Sequence, residues 1–140
     1  MNVEIRTVHP GDEALFGRIA DEVFDNPIEP GVLSRFLATP AHHLVVAIAD
    51  GWIVGQVSAV VHRHPDQRPT ELYVDEVGVS PAYRRRGIAT LMLERMFTLG
   101  RAEGCVEAWL GTEPDNEAAR ALYAPMAQPA EDVVMYVFKL

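Results

Sequence analysis

The spacing of apolar residues along this chain changes period several times, and each change marks an element. Residues 3–8, VEIRTV, alternate apolar and polar, which is the period of a half-buried strand. Beyond Pro10 and Gly11, Leu15, Phe16, Ile19, Ala20 and Val23 recur at helical spacing. They predict a helix over 12–24 with Asp12 as its N-cap. NPIEPG at 26–31 interrupts the chain ahead of a short helix around 32–38. Two apolar runs follow, HLVVAIA at 43–49 and WIVGQVSAVVH at 52–62, and the Asp50-Gly51 pair between them is a strong hairpin signal. The polar RHPDQRP then leads to TELYVDEVGV at 70–79, a third strand of this group, closed by Pro81.

From Arg86 to Glu103 the period returns to helical. Ile88, Leu91, Met92, Met96, Leu99 and Ala102 make one stripe, with Gly104 where a helix-ending glycine belongs. CVEAWLGT at 105–112 alternates as a strand. Pro114 and Asn116 introduce a short helix to about Tyr123, and VVMYVFKL at 133–140 reads as a closing strand. The predicted order is β-α-α-β-β-β-α-β-α-β, an antiparallel meander followed by a strand-helix-strand crossover. Such a crossover places the strands at 70–79 and 105–112 parallel and adjacent. With no repeat, low-complexity tract or linker, residues 1–140 read as a single domain of α/β (mixed α+β) class.

Composition narrows the function classes. At 49% hydrophobic and 23% charged residues the chain is an ordinary globular one. No apolar run approaches the roughly 20 residues of a membrane span, and MNVEIRTVHP lacks a signal-peptide pattern, so no membrane partner is expected. Cys105 is the sole cysteine, which excludes an intrachain disulfide and suits a reducing, cytoplasmic compartment. Lys+Arg 12 against Asp+Glu 20 gives a net charge of -8. That balance argues against nucleic acid and favours a cationic ligand.

Against this acidic background YRRRGIAT at 83–90 stands out. A helix start leaves its first amides without intrahelical acceptors, at the positive end of the dipole. Small residues there, Gly87 and Ala89, let a ligand approach the backbone. The combination is an anion site suited to phosphate, with Arg84, Arg85 and Arg86 adding charge. The bland alternative is a solvated basic helix start.

Arg84-Arg85-Arg86-Gly87-Ile88-Ala89 resembles the R/Q-x-x-G-x-G/A signature of the GNAT acetyltransferase superfamily. It stands where that family places it, after the strand ending VGVSPAY, and PDNEAARALY downstream extends the likeness over nearly the whole chain. The resemblance implies the GNAT fold: a mixed, mostly antiparallel sheet with splayed parallel central strands, flanked by helices. It implies acetyl-CoA as cosubstrate. The pyrophosphate would rest on the backbone of Arg85, Arg86, Gly87, Ile88, Ala89 and Thr90, and the pantetheine arm beside Val77, Gly78 and Val79. An amide near Val77 or Gly78 would polarise the thioester carbonyl. Asn116 and Tyr123 are similar to the family's N-x-x-A-x-x-x-Y element, in which the asparagine helps hold CoA and the tyrosine protonates the departing sulfur. The sequence departs from the family at APMAQPAE, where a basic residue and a Gly-aromatic pair are usual, and Pro125 should end that helix early.

Acetyl transfer needs a neutral amine, although an alkyl ammonium has a pKa of about 10. A positioned carboxylate can take the proton. Asp75 and Glu76 are adjacent on the cofactor strand, so only one faces the core side unless a bulge intervenes. Glu76 is the preferred base, directly or through water, and Asp75 would bind the cationic acceptor. The expected activity is N-acetylation of a primary amine on a small cationic acceptor, with the aminoglycoside 3-N-acetyltransferases the most similar type. Polyamine, lysine or peptide N-terminal acceptors, or a non-catalytic acyl-CoA sensor, are the alternatives. A homodimer joined through the C-terminal strand is compatible with the family.

Other features carry less. Cys105 begins a strand and reads as core. His62 and His64 share a strand face, but two ligands make an incomplete metal site, so no metal is expected. His42, His43 and Trp52 read as turn and packing residues; Phe36, Tyr73 and Trp109 line either core or acceptor pocket.

Overall fold

A computed structural model describes residues 2–140 as two units, one reaching to Leu110 and one of Gly111–Leu140. The first holds a five-stranded sheet in sequential order: β1 (Glu4–Thr7), β2 (His42–Ala49), β3 (Trp52–His62), β4 (Glu71–Val79) and β5 (Glu107–Trp109). Neighbours through β4 are antiparallel, and β4 with β5 is parallel. This is the predicted meander and crossover. Asp50 and Gly51 turn β2 into β3 with φ of 50° and 80°, the positive pair that a two-residue hairpin of matching twist requires.

Helix α1 (Pro30–Ala38) begins with proline at its first position, and α2 (Ile88–Ala102) forms the crossover. α2 covers one sheet face. Its Met92 lies against Gly55, its Gly100 against Leu72, and Met92, Leu93 and Met96 are fully buried. Each such side chain contributes about 1.5–3 kcal/mol through burial. On the other face Val23, Leu33, Leu37, Leu44, Val46 and Ile53 form a second cluster.

The helix expected over 12–24 does not form; only Glu13–Gly17 makes a short 3-10 turn. Two competing bonds explain it. The Asp12 carboxylate accepts the His9 amide at 2.8 Å instead of capping a helix. Farther on, the Ile53 amide donates to the Arg18 carbonyl and the Ala20 amide to the Ile53 carbonyl, each at 2.8 Å, so this stretch runs as a bridge beside β3. Leu15, Phe16, Ile19 and Ala20 still pack on the second cluster. Their apolar pattern located the core correctly but misnamed the element.

In the second unit α3 (Glu117–Tyr123) is capped by Asn116, whose Oδ1 accepts the Ala119 amide at 3.1 Å. It stops before Pro125, as expected. The strand predicted at 133–140 is absent, and Val133 to Phe138 are 77–84% exposed. Alternation makes a segment fit for a ladder, but a strand needs a partner, and none pairs with it among the described residues. The strand expected over 105–112 contracts to β5 for the same reason: only Glu107–Trp109 find ladder positions on β4.

Candidate active site

The parallel pairing of β4 and β5 ends after Tyr73↔Trp109. Beyond it, the β5-side edge of β4 has no strand partner among the described residues, and Val77, Gly78 and Val79 are only half-buried. The pairing stops because β5 itself ends at Trp109. An extended chain can add to such an edge by main-chain hydrogen bonds.

On its other edge β4 is irregular. Ala59 pairs with Val74 and Ser58 with Glu76, so Asp75 is an extra residue in a β-bulge. The bulge resets the alternation. Leu72 and Val74 are buried ahead of it. Glu76 and Gly78 lie against residues 23–25 on the opposite side, and burial, then the nearby Asp75 charge, pushes the Tyr73 phenol up. Asp75 and Glu76, which strict alternation would send to opposite faces, are brought to the same one.

Glu76 Oε2 accepts the Asp25 amide at 3.0 Å. Burial pushes the carboxyl above the ordinary range, and the nearby Asp25 charge adds to this; hydrogen bonds from the Asp25 amide and from Gln56 oppose it. Gln56 is fully buried beside it, its Nε2 donating to the Val23 carbonyl at 3.3 Å. The backbone of Val23 is so close to β4 that a Cβ on Gly78 would sit 2.1 Å from the Val23 oxygen. A carboxylate held this way, with a raised proton affinity, has the features of a general base.

The Arg-Gly stretch enters α2 two residues later than the sequence suggested, since the helix proper begins at Ile88. Gly87 is the N-cap in left-handed conformation, φ 75°, and Arg85 is also positive at 61°. Gly87 offers no capping side chain, so the first-turn amides at Ile88, Ala89 and Thr90 keep their donors for another acceptor. The space where a Gly87 Cβ would stand is open. These are the features an anion cradle needs. The three arginines differ. Arg84 donates from Nε to the Val79 carbonyl at 3.1 Å and lies 3.6 Å from the Glu22 carboxylate, bracing the strand end. Arg86 lies over the Tyr83 ring at 5.3 Å, and Arg85 is exposed.

The profile of the acetyltransferase (GNAT) family matches residues 14–126. The chain belongs to this family. Its relatives include the N-alpha-acetyltransferase RimI of Mycobacterium tuberculosis, 39% identical over 72% of this chain and 61% of that protein. An aminoglycoside N(6')-acetyltransferase of Salmonella typhimurium is 28% identical over 69% of this chain and 70% of the relative. Among solved structures, an aminoglycoside acetyltransferase from an uncultured soil metagenomic sample superposes with a TM-score of 0.84 at 26% identity, covering 100% and 99% of the two chains. The likeness runs to 6'-N-aminoglycoside and N-alpha types, and not specifically to the 3-N type expected from the sequence.

Asn116 and Tyr123, which the sequence likens to the family's N-x-x-A-x-x-x-Y element, stand at the two ends of α3, with burial pushing the Tyr123 hydroxyl up. Cys105 is buried, and burial followed by the Glu103 charge pushes its thiol up, which makes it a poor nucleophile. His42 and His43 open β2 instead of forming a turn, and Tyr73 stacks on the half-exposed Trp109 at 4.4 Å. The Val23–Asp25 backbone and Gln56 were missed in the sequence. Gln56 left a signal, a lone amide inside the apolar run WIVGQVSAVV. The Asp25 amide left none, because a backbone donor has no residue type.

Proposed function

We propose that this protein is an acetyl-CoA-dependent N-acetyltransferase that acts on a primary amine of a small cationic acceptor, aminoglycosides being the leading class. The observation that carries the reading is Glu76: a carboxylate of raised proton affinity, fixed by the Asp25 amide at 3.0 Å, next to a strand edge open for an extended ligand. Acetyl-CoA supplies an activated acetyl group as its thioester. The amides of Gly87, Ile88, Ala89 and Thr90, with Arg85 and Arg86, would hold its phosphates, while Val77 to Val79 would align its extended arm, assisted by Asn116. Glu76 takes the proton from the acceptor ammonium, directly or through water. Asp75 would hold the cation near it, and Tyr123 would donate its phenol proton to the sulfur as the amine nitrogen bonds the acetyl carbon and the carbon–sulfur bond breaks. The net charge of -8 favours the approach of a polycationic acceptor.

A second reading, acetylation of a protein N-terminus, is favoured by the 39% likeness to RimI. Measuring CoA release against aminoglycosides, polyamines and N-terminal peptides separates the two. Glu76→Gln then tests the base. Turnover near pH 7 should fall tenfold or more, since a general base typically contributes about 10²–10⁴-fold. The loss should shrink at high pH, where the amine is already neutral. Because the folded state raises the proton affinity of Glu76, its stability contribution is present in acid and lost as pH rises through the shifted titration. Glu76→Gln should therefore melt no lower than wild type at neutral pH. A wild-type pH-rate profile in the variant removes Glu76 from the mechanism. Absence of turnover on every amine, with acetyl-CoA binding intact, makes the protein a sensor instead.

A further inference from the structure

At the opposite end of β4 from Val77–Val79, about 20 Å along the strand, a second cluster of polar side chains has formed. His62 closes β3 and is the cross-strand partner of Glu71, which opens β4. Two residues on, His64 returns over the pair: its ring lies 4.4 Å from that of His62, and its Nε2 is 3.1 Å from Glu71 Oε2. One ligand atom from each of the three lies within 4.8 Å of the others. The His64 side chain is only 3% exposed and that of Glu71 18%. Glu107 on β5 is the register partner of Glu71 and stands beside it. The sequence offered only the H-x-H pair; pairing of β3 with β4 supplies the third ligand.

We propose that His62, His64 and Glu71 form a binding site for a zinc-type divalent cation, with Glu107 or water completing the coordination. Two imidazoles and a carboxylate are the donor set for Zn²⁺, Co²⁺ or Ni²⁺, whereas Mg²⁺ and Ca²⁺ prefer all-oxygen sites. With bonds of about 2.1 Å, tetrahedral ligand atoms stand roughly 3.4 Å apart. His64 and Glu71 already meet that spacing, and the exposed His62 ring closes the rest by rotation. The ion would tie the Arg63–Thr70 connection to both strands it joins. None of the three residues belongs to the acetyl-transfer machinery, so the site is structural or regulatory.

The test uses chelator-stripped, tag-free protein titrated with CoCl₂ and followed by visible absorption, then with ZnCl₂ in competition. Binding should saturate at one ion per chain. Excess Zn²⁺, near a hundred times its dissociation constant, should raise the melting temperature by about 5 °C or more. His62→Ala removes an exposed ligand, and Glu71→Gln keeps the shape and the bond to His64. Each should weaken Co²⁺ at least about tenfold and leave metal-free amine acetylation unchanged. Absence of saturable Co²⁺ binding, or equal binding by wild type and both variants, overturns the site. In those cases the cluster is a His64–Glu71 ion pair only.

Discussion

Gly78→Ala tests the arrangement that holds Glu76. Adding a Cβ at Gly78 places it 2.1 Å from the Val23 oxygen and 3.0 Å from its carbonyl carbon. Real Cβ atoms essentially never come within 3.0 Å of such atoms, so β4 or Val23 must retreat by at least 0.9 Å, the difference between 3.0 and 2.1 Å. Both obstacles are backbone, so no rotamer change relieves them. Overpacking costs typically 1–3 kcal/mol, and a backbone obstacle belongs at the upper end. At about 3 °C per kcal/mol for a chain of this length, roughly 10 °C of melting temperature should be lost. The same retreat pulls the Asp25 amide off the Glu76 carboxylate, since Val23 and Asp25 move together. Turnover per folded molecule should fall as well, with acetyl-CoA affinity changing less. Gly55→Ala is the control: its Cβ meets Met92 Cε at 2.9 Å, the mobile end of a side chain, and should cost less. Differential scanning calorimetry and acetylation kinetics on all three proteins decide it. If Gly78→Ala melts within about 2 °C of wild type and turns over normally, the close approach of Val23 to β4 is wrong, and so is the role given to Asp25.

Gly87→Glu should abolish acetyl-CoA binding in calorimetry while circular dichroism shows the fold retained. The space at its Cβ is open, and the positive φ of 75° costs only about 1–2 kcal/mol; retained micromolar binding would falsify the phosphate cradle. Tyr123→Phe should slow acetyl transfer on the order of ten- to a hundredfold with little change in acetyl-CoA affinity. A loss confined to melting temperature makes Tyr123 a packing residue.

The sheet was legible in the sequence because its signals are local. Asp50-Gly51 named its hairpin, and the stripe from Ile88 to Ala102 named α2. What failed depended on partners. The 12–24 segment has helical spacing, but the bonds of Arg18 and Ala20 are made to Ile53, on a strand that comes much later in the chain. The 133–140 segment has strand spacing and no ladder partner among the described residues. The carboxylate pair at 75 and 76 was visible, but its common face depends on a register shift that appears only when β3 and β4 are paired. The third member of the His62–His64 cluster was hidden for the same reason.

That register shift also says how the carboxylate pair could have arisen. Val74 faces Ala59 and Glu76 faces Ser58, and these two partners are adjacent, so removing Asp75 would leave a regular antiparallel hairpin with the pairing on either side unchanged. A single inserted codon thus separates a plain strand from one that presents two acids side by side. The apolar residues on both flanks keep their own core neighbours through the change, so the fold tolerates the insertion while the surface chemistry changes. Natural or engineered variation in acceptor handling can therefore be sought in the length of this strand as much as in its side chains.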